Sequence, residues 1–411
     1  ITGRSAPIGD AYDIDYVAHE MGHQWGGSHT FDNSCEGNRA SAASVEPGSG
    51  STIMAYAGIC DPNIQNKSDA YFHAYSVNLM YVNITTQTGS TCGVKTPNNN
   101  TVPTVNAGLD YSIPKGTAFA LTGVASDPDG DALTYLWEQY DTRSTTTSTT
   151  PSPTQASGAV FRSFFPTTSP TRYFPKMEDV LANNLAPIWE VIPTVARVLN
   201  FSLLVNDNKA TGNQAARDLM RATVTAAGPF KVTSQPTNTA QMGGEPITVT
   251  WDVAGTDAAP INTSTVQILL STDAGATFTN VLAESPNTGS AVVTLPNETV
   301  ANARIMVKAV NNIYFALNAS NFSITKTLAV SDVSSKGFAI YPNPAKGQFS
   351  IELPTKAKAD YQIFDMSGRL LKKGTLQTSK EEIAIADFKS GIYRVVVSAN
   401  GTTNSQNLIV K

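Results

Sequence analysis

Apolar residues recur at helical spacing in two stretches near the start of the chain, and the remainder alternates as strands do. Ile14, Val17, Ala18, Met21 and Trp25 fall every three or four residues, so a helix over 15–25 carries them along one side. Asp13 or Asp15 can cap its start. Gly26 can end it, because glycine accepts the left-handed conformation that closes a helix. A second periodic segment, 68–83, repeats Tyr71, Ala74, Tyr75, Asn78, Leu79 and Val82. Between the two, residues 37–50 are rich in Gly, Ser and Ala and build little core by themselves. The polar, proline-punctuated stretch 96–105 reads as a linker.

Strand-like segments follow at 118–123, 133–139, 200–205 and 222–226, interrupted by a Ser/Thr/Pro-rich loop at 142–154 and a short helix near 176–184. Residues 229–327 repeat the alternation at 247–253, 265–271, 291–295 and 303–309, with Trp251 as a core candidate. A linker at 325–336 leads to a last strand-rich segment, whose hairpin turns are expected at Ser367-Gly368 and Asn400-Gly401. The pattern predicts a multidomain chain: an α+β segment over 1–95, then three β-sandwiches over 101–228, 229–327 and 335–411.

Length and composition agree with that division. The 411 residues exceed one domain, and charged residues make up 15%, below the roughly 25% of ordinary soluble proteins. Ser, Thr, Asn and Gly take their place, as in exported β-rich proteins. A net charge of −5 offers no basic stripe for nucleic acid, and no apolar run is long enough for a transmembrane helix. The three cysteines, Cys35, Cys60 and Cys92, all lie early in the chain, so one has no partner among the other two.

The chemistry is concentrated in the first helix. Three of the four histidines, His19, His23 and His29, stand in the pattern HExxHxxGxxH. On a helix, His19 and His23 lie one turn apart on one side and can share a Zn²⁺ at about 2.0–2.1 Å each. The turn at Gly26 lets His29 supply the third nitrogen. Three protein ligands with one open position describe a catalytic zinc site. Glu20, beside His19, can reach the water there without being a ligand. His73, a lone histidine among aromatics, reads as structural.

The histidine pattern, followed by Ser51-Thr52-Ile53-Met54-Ala55-Tyr56, resembles the metzincin metallopeptidases, in which a methionine turn lies beneath the zinc. Over residues 13–80 the chain is similar to reprolysin-like peptidases exported by the Bacteroidota. Thr30 departs from better-known reprolysins, which carry Asp after the third histidine. Tyr56, two residues after Met54, stands where astacins and serralysins carry a tyrosine. It reads either as a transition-state stabiliser or as an aromatic packed under the site. The resemblance also implies that the substrate-aligning half of the catalytic domain precedes Ile1, so the chain is expected to be a fragment, inactive alone. Cys35 and Cys60 flank the loop bearing Met54 and are expected to form a disulfide, with Cys92 left for a partner in that half. A Cys60–Cys92 bridge is the alternative.

Residues 105–137, with the turn Asp127-Pro128-Asp129-Gly130-Asp131, resemble the opening of immunoglobulin-like modules of the polycystic-kidney-disease type. Asp127, Asp129 and Asp131 could hold Ca²⁺, although Asp-Pro and Asp-Gly are also common turn formers, and the plain turn is the favoured reading. Phe338-Ala339-Ile340-Tyr341-Pro342-Asn343-Pro344, Tyr361-Gln362-Ile363-Phe364-Asp365-Met366-Ser367-Gly368-Arg369, Ser390-Gly391-Ile392-Tyr393-Arg394-Val395 and the ending Leu408-Ile409-Val410-Lys411 together make residues 335–411 resemble the C-terminal sorting domain of the type IX secretion system. That implies the secretion machinery as a partner and an extracellular or outer-membrane-surface location.

Together these readings imply a secreted zinc endopeptidase acting on protein and peptide substrates. It would hydrolyse peptide bonds with zinc-activated water, Glu20 serving as general base and Met54 supplying a structural floor. The rival is a surface adhesin whose sandwiches carry the function beside an inert protease remnant. Zinc content separates the two.

Overall fold

The computed structural model describes residues 8–146, 149–327, 337–354, 358–399 and 402–411. Contacts divide the chain into two compact units, Ile1–Lys326 and Thr327–Lys411.

The first unit opens with a helical run over 10–24. It is α-helical at Asp10–Tyr12, widens to a π-helix at Asp13–Ala18, and returns to α-helix at His19–Gln24. The run therefore starts earlier than its apolar spacing predicts. Neither Asp13 nor Asp15 caps it. Gly9 takes that place, and the Asp15 carboxylate accepts from the Ser68 amide at 2.8 Å, tying the helix to a distant loop. Trp25 caps the end of the helix, and Gly26 follows with φ 100°. The side of the helix carrying His19 and Gly22 is buried. Val17, Met21 and Trp25 lie off that side and are 39%, 50% and 49% exposed.

The Gly/Ser-rich stretch builds more core than its composition suggests. Ala43 and Val45 are buried within it, and Phe31, Ile53 and Met54 are buried on either side of it. Few regular strands support them. Single backbone bonds do so instead: Thr30 N to Met54 O, Glu46 N to Thr30 O, and Ile53 N to Tyr71 O. The second helix runs Ala74–Thr86, with His73 as its N-cap accepting from the Tyr75 amide.

The first sandwich pairs a four-stranded sheet with two short ribbons. The sheet runs Tyr111–Ile113, Ala215–Val224, Arg197–Asn206, Thr134–Gln139. One ribbon joins Phe119–Thr122 to Thr171–Phe174, and the other joins Thr104–Asn106 to Val124–Ser126. Phe119, Phe161, Phe174 and Phe201 fill the middle. A short helix at Met177–Leu181 interrupts the strands. In the second sandwich, Val300–Ala309 and Thr265–Ser271 are the central strands of the larger sheet. Trp251 is buried there, its indole donating to Asn287 Oδ1 at 2.8 Å. The buried apolar cluster runs without a break from one sandwich into the other, and Ala120 N to Ile313 O and Phe315 N to Ala118 O join their backbones.

The second unit is a seven-stranded antiparallel and parallel arrangement around Phe338, Phe349, Ile351, Ile363, Val395 and Leu408. Its Ser367-Gly368 turn is closed by Asp365, which accepts from the Ser367 amide, with Gly368 at φ 84°. The other expected turn, Asn400-Gly401, lies outside the described residues.

Candidate metal centre

The helix places His19 above His23, and the turn at Gly26 and Gly27 brings the chain back so that His29 faces both. Each imidazole is fixed from behind by a backbone carbonyl. His19 Nδ1 donates to Ile53 O at 2.7 Å, His23 Nδ1 to Gly27 O at 2.9 Å, and His29 Nδ1 to Asn38 O at 2.6 Å. A carbonyl only accepts, so the proton of each neutral ring sits on Nδ1 and each Nε2 presents a lone pair. Those Nε2 atoms converge, 3.1 Å from His23 to His19 and 3.1 Å from His23 to His29. With no proton between them, such contacts are repulsive unless a cation is shared. A tetrahedral Zn²⁺ with Zn–N of 2.0–2.1 Å sets its nitrogens about 3.3 Å apart. The three residues fit the ion.

Electrostatics favours the ligating form. Burial, reinforced by the neighbouring histidines, lowers the pKa of His19 to about 4, and burial lowers that of His29 too. Both rings stay neutral, as a metal ligand must.

Met54 lies fully buried under this group. Its Sδ approaches the helix where Gly22 has no side chain: a Cβ there would stand 2.3 Å from the sulfur. Gly22 was not singled out from the sequence, although a glycine inside an amphipathic helix is a signal of close approach. Tyr56 is half-buried, its ring 4.6 Å from that of His29 and 5.6 Å from that of His19. Burial and then Glu20 raise its pKa, so its hydroxyl keeps its proton. Glu20 is exposed on the open side of the helix and is close enough to act electrostatically on His19, His29 and Tyr56.

Glu46 is the residue that sequence reasoning missed. It is 1% exposed, and its carboxylate joins the segment that follows His29 to the methionine turn. One oxygen accepts from Thr30 Oγ1 at 2.5 Å and Thr52 Oγ1 at 2.6 Å. The other accepts from the Ser51 and Thr52 amides at 2.8 and 3.1 Å. Thr30, the departure noted in the sequence, thus donates to a carboxylate supplied from elsewhere. A lone acidic residue in a Gly/Ser stretch was the only signal available.

Cys35 and Cys60 are bridged, their Cα atoms 5.5 Å apart, and Cys92 is free and exposed. His73 lies away from the three histidines, 3.7 Å from Glu138 Oε2.

The three aspartates of the first sandwich are not brought together as a set. Asp127 and Asp131 group with Asp207, which enters from another strand. Asp129 instead accepts from the Thr101 amide at 2.6 Å. Asp127 closes the turn by accepting from the Asp129 and Asp131 amides, and Lys209 Nζ stands 3.2 Å from Asp131.

No curated protein matches the chain significantly. Among solved structures, the fibronectin(III)-like modules of Clostridium thermocellum CbhA align at 12% identity over 44% of this chain and 94% of that one, with a TM-score of 0.17. The chicken CNTN1 FN1–FN3 domains align at 10% identity over 73% and 99%, with a TM-score of 0.15. The sandwich assignment rests on the sheets themselves. Family models match at both ends. Residues 2–84 match the reprolysin-like metallo-peptidases of family M12B, and residues 339–411 match the secretion system C-terminal sorting domain. The N-terminal segment of this chain is thus reprolysin-like M12B metallopeptidase sequence, and its C-terminal segment is a type IX secretion sorting domain.

Proposed function

We propose that this chain is part of a secreted zinc endopeptidase, with His19, His23 and His29 as the zinc ligands and Glu20 as the general base. The observation that carries the reading is the convergence of three Nε2 lone pairs, each ring held by a carbonyl behind it. The sorting domain directs the chain to the extracellular space or the outer-membrane surface. Among the described residues, no helix is long and apolar enough to cross a membrane. The organisation that goes with this reading is a peptidase segment over 1–95, sandwiches over 101–228 and 229–327, and the sorting domain over 335–411.

Zinc in such a site polarises a peptide carbonyl and acidifies water. The chain's own residues do the rest. Glu20 accepts a proton from the attacking water and returns it to the departing amine. Tyr56 keeps its hydroxyl proton and can donate it as a hydrogen bond to the developing oxyanion, a contribution of about 2–4 kcal/mol for such a donor. Met54 supplies a rigid apolar floor and no proton.

Metal analysis tests the reading. The purified protein should hold one zinc per chain, and His23→Ala should hold none. A wild-type protein without stoichiometric zinc would sink the assignment and favour the adhesin.

A further inference from the structure

Both carbonyls that orient the outer histidines are tied, within a few bonds, to side chains of the first sandwich. Asn38 O holds His29, and the next residue, Arg39, donates to Asp32 Oδ1 at 2.9 Å. Asp32 is 1% exposed, and its other oxygen pairs with Arg143. Arg143 belongs to the Ser/Thr/Pro-rich loop that lies outside ordinary sandwich strands. The same loop closes on the site twice more: Arg39 Nη2 donates to Arg143 O at 2.6 Å, and Thr146 Oγ1 donates to Asp32 O at 3.2 Å.

The second route reaches His19. Ile53 O holds that ring, and the Ile53 amide donates to Tyr71 O. The Tyr71 hydroxyl donates to Ser163 Oγ at 2.8 Å, and Ser163 in turn donates to Glu138, a fully buried carboxylate on the strand Thr134–Gln139. Glu138 also accepts from the Ala74 amide at 2.6 Å, fixing the start of the second helix. A third contact is steric. The Trp189 ring covers Gly48, whose carbonyl accepts from the Asp32 and Asn33 amides; a Cβ on Gly48 would stand 2.6 Å from that ring. Trp189 itself sits at φ 74°, a region bulky residues avoid, so the sandwich holds strain where it meets the metal loop.

We infer that the first sandwich is a built part of the metal centre, with Arg143 a positioning residue that acts through Asp32 and Arg39 on the His29 loop. The inference rests on the zinc assignment proposed above. A buried carboxylate with two guanidinium partners holds its loop only while both remain. Without Arg143, Asp32 keeps one partner and the Asn38 carbonyl loses its fixed place. A detachable spacer would need none of these contacts.

The test is zinc affinity of the intact chain, by competition with a chromophoric chelator, with the visible absorption of the Co²⁺-substituted protein as a second readout. Arg143→Ala should weaken zinc about 10–100-fold, the range for groups that orient a ligand from behind, and should alter the Co²⁺ bands. Arg143→Lys should fall between. Arg221→Ala, which breaks an exposed pair with Asp110 on the same sandwich, should change neither. A merely structural role would lower the melting temperature and leave the affinity of folded protein unchanged, and that result overturns the inference. If Arg143→Ala does not fold, Thr146→Ala decides, a several-fold weakening supporting the inference and none overturning it. Absence of zinc from the wild type would overturn the metal reading and this inference together; wild-type binding with an unaffected Arg143→Ala overturns this one alone.

Discussion

Glu46→Ala is the sharpest perturbation of the centre that touches no ligand. The carboxylate accepts from two backbone amides, Ser51 and Thr52, and from the hydroxyls of Thr30 and Thr52. The hydroxyls can rotate to new partners, but the amides cannot. Each buried amide left without an acceptor costs about 1–3 kcal/mol, so the local loss is about 2–6 kcal/mol. That is a large part of the roughly 5–15 kcal/mol that holds a domain together. The effect should appear where the clamp joins two segments. Thr30 N donates to Met54 O across that junction, so its amide hydrogen exchange reads the opening directly. At the lower bound, about 2 kcal/mol corresponds to exchange about 30-fold faster. Zinc should also bind about 10–100-fold more weakly, because His29 precedes Thr30. Glu46→Gln keeps one oxygen for the two amides, and its NH₂ can donate to the rotated hydroxyls. Its cost should stay below about 1.5 kcal/mol. If Thr30 in Glu46→Ala stays as protected as in the wild type and zinc affinity is unchanged, Glu46 is not the clamp.

Glu20→Gln in the secreted protein should lower peptide hydrolysis by about 10²–10⁴-fold with zinc still bound; undiminished hydrolysis would remove Glu20 from its role. Gly22→Val forces a side chain onto Met54 Sδ and should destabilise by about 1–3 kcal/mol, read as a lower urea midpoint, whereas an unchanged midpoint would show that Met54 moves freely. In metal-free protein, burial holds the His19 pKa at about 4 against an ordinary value of 6.5. Between those values the unfolded chain binds more protons, so stability should fall as pH drops from 6.5 towards 4; a flat urea midpoint across that window would contradict the assignment. Millimolar Ca²⁺ should leave the melting temperature unchanged, since Lys209 already faces Asp131, and a clear rise would reopen a calcium site at Asp127, Asp131 and Asp207.

What the sequence determined alone was whatever depends on spacing along one element. Two histidines four apart on a helix must share a side, and a glycine at its end must let the chain turn, so the three histidines that converge were legible as residues. The strands of the sandwiches were legible for the same reason, because their alternation has a period of two wherever one side is buried. The bounds of the first helix were not: Asp15 turned to Ser68, and the widened π segment left no mark in the apolar spacing. Tertiary structure alone decided which groups stand behind the three imidazoles. The carbonyls of Ile53, Gly27 and Asn38 carry no sequence signature, since every residue has one. Glu46, Asp32 with Arg143, and Asp207 in place of Asp129 are pairings between segments far apart in the chain. Such contacts depend on how the loops fold over one another, and no local period encodes them. A buried carboxylate must find donors wherever the fold provides them, and here the fold provides them from the methionine turn and from the neighbouring sandwich.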